Sequence, residues 1–181
     1  VQYGMQTSGA REGIIALKAK YKPAIAALEP LLPSDMRIHI LKDVYPAGDE
    51  VITIWMATGR RVPPGKLPLD VGVMVSNVQT LINVTHAIDA GRPVTHRTLT
   101  ITGAVRQPVT VTVPIGTSYQ DAVALSGGPT GKGISFVEGG PMMGHLVHDM
   151  DTPVTKMTGA LIALPDDNIV VRRHRTHMDS V

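Results

Sequence analysis

The stretch that decides the fold is Met36-Arg-Ile-His-Ile-Leu-Lys-Asp-Val-Tyr-Pro-Ala-Gly-Asp-Glu50. Met36 to Leu41 alternates in the manner of a β-strand, and Asp49-Glu50 can cap and start a helix through Ile52, Ile54, Trp55 and Met56 that Gly59 closes. A strand that ends in a tight polar turn and re-enters as a helix is the repeating element of an α/β layer, whose ligands gather at the carboxyl ends of its strands. Working upstream, Gly13 to Tyr21 is a compact apolar run compatible with strand or helix. Pro23 suits the first position of a short helix carrying Ile25 and Leu28 on one face, which Pro30 ends. Taken as a strand, the first run completes a strand–helix–strand unit.

Downstream, Val71-Gly-Val-Met-Val75 is a continuous apolar run expected to form a buried strand. Ser76-Asn77 begins a helix with apolar positions Val78, Leu81, Ile82, Val84 and Ile88, ending at Gly91. The pattern changes after Gly91-Arg-Pro93. His96 to Thr102 and Val109 to Val113 alternate around a Gly103–Pro108 turn, predicting a hairpin with a threonine face. A short helix from Ser118 to Ser126 and a strand from Ile134 to Val137 follow. Hairpin, helix and strand in this order specify a β-grasp module. The expected organisation is a Rossmann-like α/β layer over residues 1–92, a β-grasp domain over 93–165 and a basic tail over 166–181.

Composition narrows the function. Of 181 residues, 43% are hydrophobic and 18% charged, a globular balance with no apolar run long enough to span a membrane. Six aromatic residues are too few for a base-stacking platform. The net charge of +2 sits at the end, where Arg172, Arg173 and Arg175 face Asp179, and it reads as a solvated terminal run rather than a nucleic-acid face. With no cysteine, the chain has no disulfide, no thiol nucleophile and no thiolate for an iron–sulfur cluster. Nucleophile-elbow, phosphate-loop, His-Glu-x-x-His and dinucleotide glycine motifs are all absent. His145 with His148, and His174 with His177, are spaced three apart without a third ligand, which favours exposed histidines over a metal site.

Two turns have the chemistry of ligand sites. Tyr45-Pro-Ala-Gly48-Asp49-Glu50 offers an aromatic ring, open backbone at Gly48 and two carboxylates that accept hydroxyl or amide donors. Ser76-Asn77-Val-Gln-Thr80 places hydroxyl and amide groups at a helix start, where free N–H groups suit a phosphate. Helix capping by Asp49 or Ser76 accounts for either turn separately. In Gly139-Gly-Pro-Met-Met-Gly144, Met142 and Met143 can lie over a flat ligand or fill a core gap, and the turn-plus-core reading is favoured.

These residues carry a resemblance. Tyr45-Pro-Ala-Gly-Asp-Glu50, Gly59-Arg-Arg-Val-Pro-Pro-Gly65, Leu67-Pro-Leu-Asp-Val-Gly-Val73 and Ser76-Asn-Val-Gln-Thr80 stand in the order found in the C subunit of the Rnf electron-transport complex. They also resemble the PduS-type cobalamin reductases, and both families are relatives of the flavin-bearing, NADH-oxidising subunit of respiratory complex I. Thr100 to Val105 and Val113 to Thr117 resemble the soluble-ligand-binding β-grasp (SLBB) module, and the likeness continues through Gly139–Gly144 and Pro153–Thr158. The ending, Thr158-Gly-Ala-Leu-Ile-Ala-Leu-Pro165 with the arginine-rich tail, looks more like PduS, as does Ala19-Lys-Tyr-Lys22 in place of an acidic pattern common in the Rnf branch.

By that resemblance, Tyr45, Gly48, Asp49 and Glu50 line a flavin and NADH pocket, while Asn77 and Thr80 help hold the FMN phosphate. Ser76 and Gln79 depart from the family's Asn-Asn-Val-Glu-Thr segment. The family's glycine-rich flavin loop upstream and its cysteine motifs for two [4Fe–4S] clusters downstream do not occur here. The resemblance thus implies the middle of a longer NADH-dependent FMN and iron–sulfur oxidoreductase, inactive as a fragment, with oxidised cobalamin as acceptor in the PduS branch. The implied partners are NADH, FMN, cobalamin and other electron-transfer or microcompartment proteins, with no nucleic acid and no membrane span. The implied location is cytoplasmic, inside a bacterial microcompartment or peripheral to a membrane complex. An Rnf C subunit feeding a membrane complex and a non-catalytic SLBB module that binds a ligand or partner are the alternatives. A catalytic role requires Asp49, Glu50, Asn77 and Thr80 to converge on one cleft; a pure binding role puts the cavity on the β-grasp surface.

Overall fold

A computed structural model describes residues 1–178. The chain divides into two compact units, Val1–Pro93 and Val94 onward.

In the first unit, β1 (Gly13–Lys18) and β2 (Met36–Leu41) pair in parallel from Gly13 opposite Met36 to Lys18 opposite Leu41. Between them α2 (Lys22–Leu28) has Pro23 in its first turn, and a 3-10 turn over Glu29–Leu31 takes the place of further helix at Pro30. The apolar run at Gly13 is therefore strand, as β-branched residues favour. α3 (Glu50–Thr58) is closed by Gly59 in the left-handed conformation, packs against both strands and buries Ile54. α4 (Val78–Ala90) ends at Gly91, also left-handed, and packs against α1 (Gln2–Ser8), where the Tyr3 hydroxyl donates to Asp89.

The expected strand at Val71–Val75 does not form. Pro68–Val71 is a 3-10 turn that Asp70 closes by accepting from the Leu67 N–H at 2.7 Å, and Gly72 follows at φ 66°. The Arg60 guanidinium donates to the carbonyls of Val71 and Gly72, each at 2.9 Å, so side-chain donors hold groups that a ladder would have used. Met74 and Val75 are 50% and 41% exposed, so the apolar run lacks the burial that stabilises such a strand.

The second unit is a five-stranded sheet of order β4-β3-β7-β5-β6 with α5 (Tyr119–Ala124) on one face. β3 (His96–Gly103) and β4 (Val109–Pro114) form the hairpin. Its outer face carries the pairs Thr98–Thr112 and Thr100–Thr110, with hydroxyl oxygens 2.8 and 3.1 Å apart. Leu99 and Ile101 point into a core with Val113, Tyr119, Ala122, Val123, Phe136, Val154 and Leu161. β5 (Ile134–Glu138) and the short β6 (His145–Leu146) finish one edge.

The central strand is β7 (Ala160–Pro165), parallel to β3 and antiparallel to β5. Gly103 is what admits it: at φ 87° a Cβ would collide with the Ala163 carbonyl, which instead accepts from the Ala104 N–H at 2.9 Å.

Residues 166–178 expose their arginines, as expected of a solvated basic run, but they are not a bare tail. They continue into α6 (Ile169–Met178), which packs against β6 and buries Val171 completely. Asn168 caps it, accepting from the Val170 N–H at 2.9 Å. Arg175 donates to Asp166 and to the Ser135 hydroxyl, both at 3.0 Å. A buried apolar anchor and a cap order the segment as a helix, on which Arg172, Arg173 and Arg175 stay exposed to solvent. Asp179 lies outside the described residues.

Candidate functional site

The Tyr45–Glu50 turn follows closely on the end of β2 at Leu41. Its backbone folds back on itself through the Ala47 N–H to the Val44 carbonyl at 3.0 Å and the Asp49 N–H to the Pro46 carbonyl at 2.7 Å. The Tyr45–Pro46 peptide is cis. Ala47 is 1% exposed and anchors the turn, and its carbonyl accepts from the Thr53 hydroxyl at 3.1 Å. Around this anchor the candidate ligand groups stay open. The Tyr45 ring is 72% exposed, and no atom lies within 4 Å of where a Gly48 side chain would begin. Asp49 caps α3, accepting from the N–H groups of Val51 at 3.0 Å and Ile52 at 3.2 Å. That leaves the exposed Glu50 as the turn's carboxylate without a helix-capping duty.

At α4 the cap is Asn77 rather than Ser76. Asn77 Oδ1 accepts from the Gln79 N–H at 2.9 Å, while the Ser76 hydroxyl makes only a long contact of 3.5 Å to the Asn77 carbonyl. An asparagine cap uses its oxygen and leaves its amide N–H groups as donors. The Thr80 hydroxyl, one turn inside the helix, has no partner among the described residues and is exposed. This donor set fits a phosphate at the start of a 13-residue helix. Gly48 and the Tyr45 ring fit the close approach of a flat heterocycle. Taken one turn at a time, the residues present suit the charged end and the planar end of a flavin mononucleotide.

The structure brings Tyr45, Gly48, Asp49 and Glu50 together in one turn, and Asn77 and Thr80 together at one helix start. Among the described residues no hydrogen bond or ion pair joins the two groups.

A cleft of about 230 Å³ lies on the second unit, lined by Tyr119, Glu138, His145, Leu146, Val147, His148, Asp149 and Thr152. At its floor the Tyr119 hydroxyl lies 3.4 Å from that of Thr158, and burial pushes the phenol above its ordinary value, with Glu138 acting in the same direction. Sequence reasoning passed over Tyr119, Glu138 and Thr152; the signal was the pair His145 and His148, which β6 and the following loop turn towards one opening. No group of three or more His, Asp or Glu side chains suited to a metal occurs among the described residues. Met142 and Met143 are 70% and 84% exposed, so the Gly139–Gly144 turn presents them outward instead of filling a core gap.

The chain is thus built as an α/β half that carries two ligand-type turns, followed by a β-grasp sheet. Residues 1–86 match the Complex1_51K family, described as the Nuo51 FMN-binding domain, and residues 98–146 match the SLBB domain.

The chain is a homologue of the PduS cobalamin reductases and of Rnf-type C subunits. It is 60% identical over 173 residues to "Cobalamin reductase PduS" of Citrobacter freundii, aligning 96% of this chain with 38% of that protein. The same-named protein of Salmonella typhimurium is 59% identical over 173 residues, again 96% of this chain and 38% of its own. The C subunit of the proton-translocating ferredoxin:NAD(+) oxidoreductase complex of Clostridium ljungdahlii is 32% identical, over 93% of this chain and 37% of its own. The chain thus spans under two-fifths of the length of these curated relatives. A crystal structure of an NAD+-reducing [NiFe]-hydrogenase in the H2-reduced state shares the fold, with a TM-score of 0.70 at 21% identity over 94% of this chain and 36% of that one. No described helix is long and apolar enough to cross a membrane.

Proposed function

We propose that this chain is the central part of an NADH-dependent FMN and iron–sulfur oxidoreductase of the cobalamin reductase type. The observation that carries the reading is 60% identity to a cobalamin reductase across 96% of the chain. In this reading the Asn77 amide and the Thr80 hydroxyl bind the FMN phosphate at the start of α4. Gly48 lets the flavin ring approach the backbone, Tyr45 flanks the site, and Glu50 orients the nicotinamide through its carboxamide donors. Asp49 holds the first turn of α3, so that Glu50 is presented at a fixed angle. Bound flavin supplies the step from hydride to single electrons, and the protein sets its orientation and potential. The [4Fe–4S] clusters belong to parts of the full-length protein other than this cysteine-free chain. The location is the cytoplasm, in a microcompartment or beside a membrane complex.

The test uses the full-length natural protein. NADH-driven reduction of hydroxocobalamin is expected, and Glu50→Gln should lower it more than it lowers flavin content. Reduction of a ferredoxin-type acceptor with none of cobalamin would place the protein in the Rnf branch; loss of flavin alone in Glu50→Gln would move that residue from the nicotinamide to the flavin.

A second reading, a binding module without chemistry of its own, draws support from the cleft at Tyr119, Glu138, His145 and His148. It predicts cobalamin or partner binding that survives loss of the flavin.

A further inference from the structure

The parallel register of β1 and β2 sets Lys18 beside Leu41, so residues 18–22 and 42–43 leave the sheet at the same end. These seven residues hold four lysines, Lys18, Lys20, Lys22 and Lys42, and a single acid, Asp43. Asp43 Oδ1 lies 3.1 Å from the Lys20 ammonium and 3.4 Å from that of Lys18. The Lys20 ammonium also sits 5.7 Å from the centroid of the Tyr21 ring. Lys22 and Lys42 are exposed and have no ion-pair partner among the described residues.

The other end of the same two strands is balanced. There Arg37 is matched by Glu12 at 2.5 Å and donates to the Ala57 carbonyl at 2.8 Å. The excess of positive charge is thus confined to the carboxyl ends, where open α/β layers take their ligands. The acids of the next turn are not paired with these lysines: Asp49 caps α3 through two N–H groups, and neither it nor Glu50 makes an ion pair among the described residues.

We infer that this lysine cluster is a binding site for the diphosphate of a nucleotide. Ammonium groups are compact, rotatable donors suited to phosphate oxygens. Lys18 and Lys20 converge on one oxygen of Asp43, so two of the ammonium groups already share a footprint the size of a small anion. Asp43 keeps Lys18 and Lys20 gathered in the absence of the ligand. Tyr45, two residues beyond Asp43 and open to solvent, supplies a face for the attached ring. The assignment of NADH as that nucleotide rests on the proposed function; the diphosphate site does not.

The experiment is calorimetric titration of the full-length protein with pyrophosphate and, separately, with NADH. The variants are Lys20→Ala/Lys22→Ala/Lys42→Ala and, as a control on the second unit, Lys132→Ala/Lys156→Ala. All five side chains belong to exposed residues, so folding is not at stake, and circular dichroism confirms it. Pyrophosphate should bind the wild type, about tenfold more weakly in the triple variant, and unchanged in the control. Affinity should fall as salt rises. Absence of pyrophosphate binding at millimolar concentration, or equal affinity in the triple variant, overturns the site. Pyrophosphate bound through the lysines with NADH excluded upholds the site and sinks the dinucleotide reading. NADH bound equally by wild type and triple variant, with pyrophosphate weakened in the variant, likewise upholds the site and sinks the assignment of NADH to it.

Discussion

Asn77 holds two duties that substitution can separate. Its side-chain oxygen caps α4 through the Gln79 N–H at 2.9 Å, and its amide is the proposed phosphate donor. α4 buries none of its residues, and Val78, Ile82 and Ile88 are 67%, 47% and 56% exposed, so tertiary packing supports the helix weakly and the cap carries a larger share. Asn77→Ala should therefore cost about 1 kcal/mol of stability. For a unit of this size that is roughly 4–8 °C in melting temperature. Loss of a donor to a charged phosphate oxygen costs about 1.5–3 kcal/mol, or about ten- to hundredfold in FMN affinity.

Asn77→Asp is the discriminating variant. Aspartate caps as well as asparagine and suits the positive end of the helix, so melting should be preserved. Its carboxylate faces the phosphate with like charge, so FMN affinity should fall at least as far as in the alanine variant. Flavin-fluorescence quenching on the deflavinated full-length protein, beside thermal melts, measures both. Retained FMN affinity in Asn77→Asp would refute the phosphate assignment and leave Asn77 as a cap alone.

Two further outcomes follow from the second unit. Val171→Ala removes two buried methyl-sized groups that fix α6 on the sheet, and urea unfolding should show a loss of about 2 kcal/mol; an unchanged midpoint would mean that α6 is held by Arg175 and its partners alone. Burial raises the Tyr119 phenol above its ordinary value. The stability tied to its protonated form is therefore complete below about pH 10 and is lost as pH rises through the raised folded-state value. Melts between about pH 9 and pH 12, a window that brackets the ordinary phenol value, should show a steeper alkaline decline in the wild type than in Tyr119→Phe. Parallel declines would refute that origin.

The elements legible in the sequence are those whose local and tertiary signals agree. Asp49 and Gly59 bracket α3, Gly91 ends α4, and threonines alternating with Leu99 and Ile101 spell out the hairpin before any neighbour is considered. Val71–Val75 misleads because apolar character alone does not distinguish a buried strand from an exposed apolar loop; the deciding contacts come from Arg60, eleven residues away from Val71. α6 is hidden for the opposite reason. Its arginines speak for solvent, whereas Val171 and the Asn168 cap, which hold it down, are a single side chain and a single hydrogen bond.

The candidate ligand residues divide in the same way. Tyr45 to Glu50 and Asn77 to Thr80 are recognisable because turn and cap chemistry is local. The lysine cluster is not, since only the β1–β2 register brings Lys18 and Lys20 beside Lys42 and Asp43. Nor is the cleft at Tyr119, whose walls come from α5, β5, β6 and the loop after it.

The place of β7 in the sheet has a consequence for biosynthesis. The hairpin and β5 leave the ribosome first, yet they cannot hydrogen-bond to each other, because the position between them belongs to residues 160–165. Until that segment clears the exit tunnel, β3 and β5 each present an unpaired edge and the core lacks Leu161. The nascent second unit is then open to mispairing and to proteases. Its closure is a single late event, made by a strand that forms its partnerships across more than fifty residues of chain on one side.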